Sequence, residues 1–235
     1  MGDTVLALDC SGETYGCGLL VGKAQTSVQG LAPRTALREL PGHIGYLLEQ
    51  AGVTYGAVKA VGVTVGPGSF TGVRLGVTLA KTIALTCGCG VAGFDTLEVL
   101  AAGLGEAFSH AGGQVAVALD ARRGEVYGAT FEVTGEGVVF LSPSGVKEPE
   151  VFAEAMASLS DLRGLIGSGF RAYPQLIPQG FTGPVLTDKA AISPKPDLLC
   201  ALTRRALCEQ RLGSAEELQP RYHREADIQV SGSKA

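Results

Sequence analysis

ALDCSGETYG, Ala7–Gly16, and ALDARRGEVYG, Ala118–Gly128, are two versions of one pattern. Each reads Ala-Leu-Asp, a spacer, then Gly-Glu-x-Tyr-Gly, and the spacers differ by one residue. Apolar residues precede and follow each polar turn, so both read as strand, turn, strand. Asp9 and Asp120 stand 111 positions apart, close to half of the 235-residue chain. Such internal self-similarity predicts a duplicated unit and two similar lobes. Helical patterns follow each hairpin, which predicts an α/β fold with mixed sheets. The lobes divide as 1–111 and 112–235, and the last helix and tail are free to pack back on the first lobe.

Working outward, a third strand is expected near Thr26–Leu31. A helix is expected over Arg34–Ala51, with Leu37, Leu40, Ile44 and Leu47 at spacings of three and four. Pro41-Gly42 predicts a kink or a late start. Ala60–Val65 and Val91–Phe94 read as strands, and Thr96–Ala107 as a helix capped by Thr96. In the second half, strands are expected near Val115–Leu119, Gly124–Val133, Gly137–Leu141, Leu162–Ile166 and Val185. Helices are expected over Pro149–Leu159 and Pro196–Leu212. The segment from Leu218 reads as a basic, extended tail, and Ser231–Ala235 as disordered.

Composition excludes several classes. Hydrophobic residues make up 46% and charged residues 18%, a well-buried folded chain. The net charge of −4 argues against unaided nucleic-acid binding. No apolar run predicts a membrane span, and the opening residues run into a strand pattern without a leader, so a cytoplasmic location is expected. Six cysteines without a Cys-x-x-Cys pair read as reduced, mostly buried thiols, and Cys87-Gly-Cys89 is too tight for a zinc knuckle. His43, His110 and His223 form no His-x-x-x-His pair, and no Gly-x-Ser-x-Gly elbow is present. No metal site and no catalytic residue is expected.

Val65–Gly88, VGPGSFTGVRLGVTLAKTIALTCG, poses its own question. A glycine-rich turn before a helix often cradles a phosphate. This one lacks the Walker lysine, and Gly66, Gly68 and Gly72 are spaced one residue too far for a dinucleotide fingerprint. Phosphate or nucleotide contact through Asp9, Ser11, Gly68, Ser69, Thr71 and Asp120 stays open. So does the alternative that each aspartate merely caps its own turn. In the helix, Gly72, Gly76, Ala80, Ala84 and Gly88 form a ridge of small residues at spacing four. The polar strip is narrow, so more than one side needs cover. Either a partner covers the ridge, or the helix is sandwiched within its own chain.

GPGSFTGVRLGVTLAKTIA resembles the signature of the bacterial TsaB (YeaZ) family, close to GPGSFTGLRIGVATAKGLA. ALDCSGETYGCGLL is similar to that family's opening strand and hairpin, VALDARRGEVYGATF to its second-lobe motif, and LQPRYHR to its closing Pro-x-Tyr-x-Arg. Cys10 stands where the family often has threonine, and Arg34-Thr-Ala where a His-Ser-Glu-like helix start is common.

The resemblance implies an actin-like, Hsp70-like (ribonuclease H-like) fold. It implies a non-catalytic subunit of the machinery that puts threonylcarbamoyl on adenosine of tRNAs reading codons that start with A. Implied partners are a TsaD-like catalytic subunit, a TsaE-like ATPase and a second copy of the chain, with tRNA met only through the complex. No cofactor is required by this chain, and weak contact with ATP or ADP stays open. The implied interface uses the first two helices, carried over as Leu37, Leu40, Ile44, Leu47, Gly72, Gly76, Leu79, Ala80 and Ile83. The competing readings are a stand-alone enzyme of the same fold, a small-molecule kinase or glycoprotease-like peptidase, and a homodimeric chaperone-like module.

Overall fold

A computed structural model describes residues 2–31, 35–107, 112–135 and 137–223. Arg34, His110, Arg224, the 111/112 division and the tail from Ser231 fall wholly or partly outside the described residues.

The first hairpin pairs β1 (Thr4–Asp9) with β2 (Tyr15–Val21), Leu6 opposite Leu19 and Asp9 opposite Gly16. Strand β3 (Ala24–Gly30) continues the meander. Beyond helix α1 (Ala36–Gln50), β4 (Ala60–Gly66) returns parallel to β1. Helix α2 (Phe70–Cys87) then leads to β5 (Gly90–Asp95), parallel to β4. The sheet order is β3-β2-β1-β4-β5.

Helix α3 (Thr96–Ala107) leads to a second sheet built by the same path. Strands β6 (Gly113–Arg122), β7 (Glu125–Thr134) and β8 (Gly137–Lys147) form an antiparallel meander. Helix α4 (Pro149–Ala157), β9 (Leu162–Ile166), the short α5 (Ser168–Ala172) and β10 (Val185–Leu186) complete it, and α6 (Pro196–Cys208) returns to pack on the first sheet. The order β10-β9-β6-β7-β8 repeats the first sheet strand for strand. This duplicated order is the actin-like, ribonuclease H-like two-lobe α/β fold.

Alternation along the central strands explains the layers. Leu6 and Leu8 face α1 and α2, while Val5 and Ala7 face α6. In the second sheet Val115 and Val117 face α3, and Ala116 and Ala118 face α4 and α5. α3 and α6, which follow the last strand of each sheet, also pack on each other.

Local expectations are corrected in four places. Helix α6 ends at Cys208, four residues short of the expected Leu212. The cap of α3 is Asp95, whose Oδ1 accepts from the Leu97 N–H at 2.8 Å; Thr96 is the first helical residue. Strand β8 runs to Lys147, six residues past the expected end. Of the six cysteines, Cys10, Cys17 and Cys200 are buried, Cys87 and Cys89 half-buried and Cys208 exposed, so burial holds for half.

Candidate functional site

The glycine loop is shaped by the turn it rests on. A Cβ at Gly72 would lie 2.0 Å from the Cys10 carbonyl oxygen, and one at Gly68 would lie 2.1 Å from that of Ser11. Gly68 also has φ of 156°. Only glycine lets these backbones approach so closely. The Ser69 N–H donates to the Ser11 carbonyl at 2.7 Å, and Ser69 Oγ accepts from the Gly72 N–H at 3.2 Å as the cap of α2. Two donors at the helix start are thus already used, the Ser69 N–H to join the loop to the turn after β1 and the Gly72 N–H within the helix cap. From outside, the Arg221 N–H donates to the Val65 carbonyl at 2.8 Å, and Tyr222 packs on Phe70 with ring centroids 5.2 Å apart.

The small-residue ridge faces inward. Gly76, Ala80, Ile83 and Ala84 are buried over the chain's own sheet. A Cβ at Gly76 would meet Val63 Cγ2 at 3.4 Å. Leu40, Ile44 and Leu47 of α1 are buried in the same cluster. The reading of the ridge as a partner-facing surface is therefore corrected: small residues bring α2 close to β1 and β4. Of the carried-over interface residues, Leu37 is 72% exposed, while Gly72 and Leu79 are half-buried.

The outer face has a different composition. Tyr46 on α1 and Leu85 on α2 are 54% and 58% exposed. Thr82 Oγ1 donates to the Thr78 carbonyl at 2.9 Å, and Thr86 Oγ1 to the Thr82 carbonyl at 2.8 Å. These hydroxyls are satisfied within the helix, so covering them costs little desolvation. Gly42 and Gly45 on α1 have nothing within 4 Å of a Cβ position, so the chain's own packing does not require them.

Glu39 anchors α1 to the sheet. It accepts hydrogen bonds from the Tyr15 hydroxyl, from Thr35 Oγ1 at 2.8 Å and from Arg38 at 2.9 Å. The Tyr15 bond, then Arg38 and Thr35, hold its carboxyl down to about 2.

A second feature is a cleft of about 610 Å³ between the lobes. Ser11, Gly68, Ser69 and Thr96 line it from the first lobe, and Asp120, Arg122 and Arg171 from the second. Asp9 is no part of its wall. It is 1% exposed, and its Oδ1 accepts from the Ser11 N–H (3.1 Å), Ser11 Oγ (2.7 Å) and Thr64 Oγ1 (2.6 Å). Burial raises its carboxyl above the ordinary range. Asp120 accepts from the Arg122 N–H at 2.8 Å and pairs with the Arg122 guanidinium at 3.2 Å. Each aspartate caps its own turn. Thr71 is exposed and lies outside the cleft wall.

The described histidines have local surroundings. His43 stacks on Tyr15 with centroids 6.0 Å apart. His223 lies 3.4 Å from Ser144 Oγ, but Asp95 Oδ1 accepts from the Leu97 N–H and its Oδ2 has no hydrogen-bond partner, so Asp95 does not orient the imidazole as in a catalytic triad. Among the described residues, no three His, Cys, Asp or Glu side chains are grouped to hold a metal, and no helix is long and apolar enough to cross a membrane. Sequence reading missed the threonine ladder, for which Thr78, Thr82 and Thr86 at spacing four were the available signal.

Residues 21–162 match the family model described as TsaD, tRNA N6-adenosine threonylcarbamoyltransferase. The chain is similar to a tRNA threonylcarbamoyladenosine biosynthesis protein TsaB of Haemophilus influenzae, 30% identical over 229 residues, covering 94% of this chain and 93% of the relative. The Escherichia coli protein of that name is 28% identical over 221 residues, with 94% of each chain covered. Among solved structures, one described as YeaZ from Pseudomonas aeruginosa has a TM-score of 0.79 and 27% identity, covering 94% of this chain and 99% of that one. Another, described as an uncharacterized protein with similarity to peptidase YEAZ from Pseudomonas aeruginosa, has a TM-score of 0.81 and 28% identity, covering 94% and 100%.

Proposed function

The chain belongs to the TsaB (YeaZ) family, and from that premise we propose that it is a non-catalytic subunit in the synthesis of threonylcarbamoyladenosine on tRNA. It works in the cytoplasm by pairing with a TsaD-like catalytic subunit, or with a second copy of itself, through the outer faces of α1 and α2. A TsaE-like ATPase joins the assembled pair, and tRNA is met through the complex.

The observation that carries this reading is the outer helix face. Leu37, Tyr46 and Leu85 stand exposed on the two helices, beside threonines whose hydroxyls are already bonded. Helices that only shielded a core would carry charged residues there. Instead, α2 has Arg74 and Lys81 as its only charges along 18 residues, and Lys81 Nζ is drawn to the carbonyls of Glu216 and Leu218. Among the described residues, His43 and His223 form no catalytic set with Asp9 or Asp120.

The test is a double variant, Leu37→Arg with Leu85→Arg. Both positions are exposed, so the thermal melt should match wild type within a degree or two. An unpaired charge driven into a packed interface costs several kcal/mol, about two to three decades in affinity. Light scattering and titration against the TsaD-like subunit should show that loss, with modification by the reconstituted complex falling alongside. A folded double variant that pairs normally with both would refute the proposal.

A further inference from the structure

Edge strands are normally covered or blunted, and β5 is covered only in part. Leu212 lies over Gly90, and Val91 exchanges both backbone hydrogen bonds with Gly213, at 3.0 and 2.8 Å. The covering segment then turns onto the α2 side of the sheet, where Ala215 and Leu218 are buried and Leu218 packs over one face of Gly93 without pairing with its backbone. That departure is fixed: the Glu217 N–H donates to Ser214 Oγ at 3.3 Å, and Lys81 Nζ donates to the carbonyls of Glu216 and Leu218 at 3.2 and 3.1 Å. Backbone groups of an extended strand reverse direction at each residue. Gly93, two residues beyond Val91, therefore turns its N–H and C=O toward the side that Gly213 occupies at the first rung. Gly93 is exposed, while Ala92 and Phe94 on either side are buried.

This gap opens into a groove of about 570 Å³ between β5, α6 and the start of β8. Val139, 58% exposed, and Leu202 contribute apolar wall. Five charged side chains line the groove. Arg205 and Arg211 are both held by Glu209, at 2.6 Å each, which leaves Glu98 and Glu217. We propose that this groove is a docking site for an extended, basic segment of a partner protein, which adds to the edge of β5 at Gly93 and sets a lysine or arginine against Glu98 and Glu217. Backbone pairing supplies the register and the acidic rim selects the charge, the division of labour seen wherever a peptide adds to a sheet edge. The site lies apart from the α1/α2 face and does not depend on how that face is used.

The experiment uses the full chain, labelled with nitrogen-15, titrated with acetyl-Val-Lys-Val-Arg-Val-amide. The Gly93 amide should shift and gain protection from exchange as peptide is added. Glu217→Lys, at an exposed position, should weaken binding about fivefold to tenfold. The same peptide N-methylated at alternate backbone nitrogens should not bind, and acetyl-Val-Glu-Val-Glu-Val-amide should bind far more weakly. A Gly93 amide unmoved at millimolar peptide overturns the proposal. So does equal binding of the N-methylated or the acidic peptide.

Discussion

Gly72 and Gly76 lie one helical turn apart in α2, and the structure predicts opposite outcomes for the same change. Alanine at Gly72 would place its Cβ 2.0 Å from the Cys10 carbonyl oxygen, over an ångström inside ordinary contact. The obstacle is backbone at the end of a central strand, so no side chain can swing away. Overpacking of this kind costs about 3 kcal/mol, or a fall of about 6–12 °C in the melting temperature of a chain this size. Alanine at Gly76 meets Val63 Cγ2 at 3.4 Å and Cys10 Cβ at 3.6 Å, which is ordinary packing. There the removal of a mid-helix glycine should stabilise by about 0.5–1 kcal/mol, a rise of about 1–4 °C. Differential scanning calorimetry of Gly72→Ala and Gly76→Ala measures both shifts. Ala80→Arg extends the argument: Ala80 is fully buried, so the variant should unfold rather than stay folded and lose a partner. A Gly72→Ala protein melting at or above wild type would refute the view that this glycine serves backbone contact, and a folded Ala80→Arg monomer would refute the inward orientation of the ridge.

Three more outcomes are expected. Glu39 is held near 2 by Tyr15, Arg38 and Thr35, so its stabilisation is complete above the ordinary carboxylate range and is lost as pH falls toward 2; urea midpoints of wild type and Glu39→Gln should differ at pH 7 and converge near pH 2, and a gap that stays constant would contradict this. Asp9 has the opposite sign. Burial raises its folded carboxyl, so stability declines as pH rises from the unfolded value of 3.8 through the raised one; Asp9→Asn should flatten that part of the curve, whereas Asp9→Ala should cost about 2–4 kcal/mol by stranding the Ser11 and Thr64 donors. Finally, Gln210 ends α6 at φ of 56°, with the Arg211 N–H donating to the Ala206 carbonyl at 2.8 Å; Gln210→Gly should raise the melting temperature by about 1–4 °C by relieving a left-handed side chain.

The sequence by itself determined the fold. The repeated Ala-Leu-Asp and Gly-Glu-x-Tyr-Gly pattern marks β1–β2 and β6–β7 because strand alternation and turn chemistry are local, and a duplicated local pattern gives a duplicated topology. The family signature in Gly66–Ala84 was legible for the same reason. What only the tertiary structure decided was direction. Spacing of four puts Gly76, Ala80 and Ala84 on one side of α2, but nothing in that spacing says whether a sheet or another helix lies there. The answer depends on how α2 folds back over β4, which leads into it, and over β1, which comes from a distant part of the chain. Likewise, glycine in Gly-Pro-Gly-Ser-Phe-Thr-Gly is the same letter whether a phosphate or a carbonyl approaches it. The approach of Cys10 and Ser11, some sixty residues upstream, assigns it to the carbonyl. Asp9 and Asp120 occupy equivalent places in the repeat, yet Asp9 is buried and Asp120 lines the cleft. Local patterns repeat with sequence, but burial follows from what the rest of the chain packs against each copy.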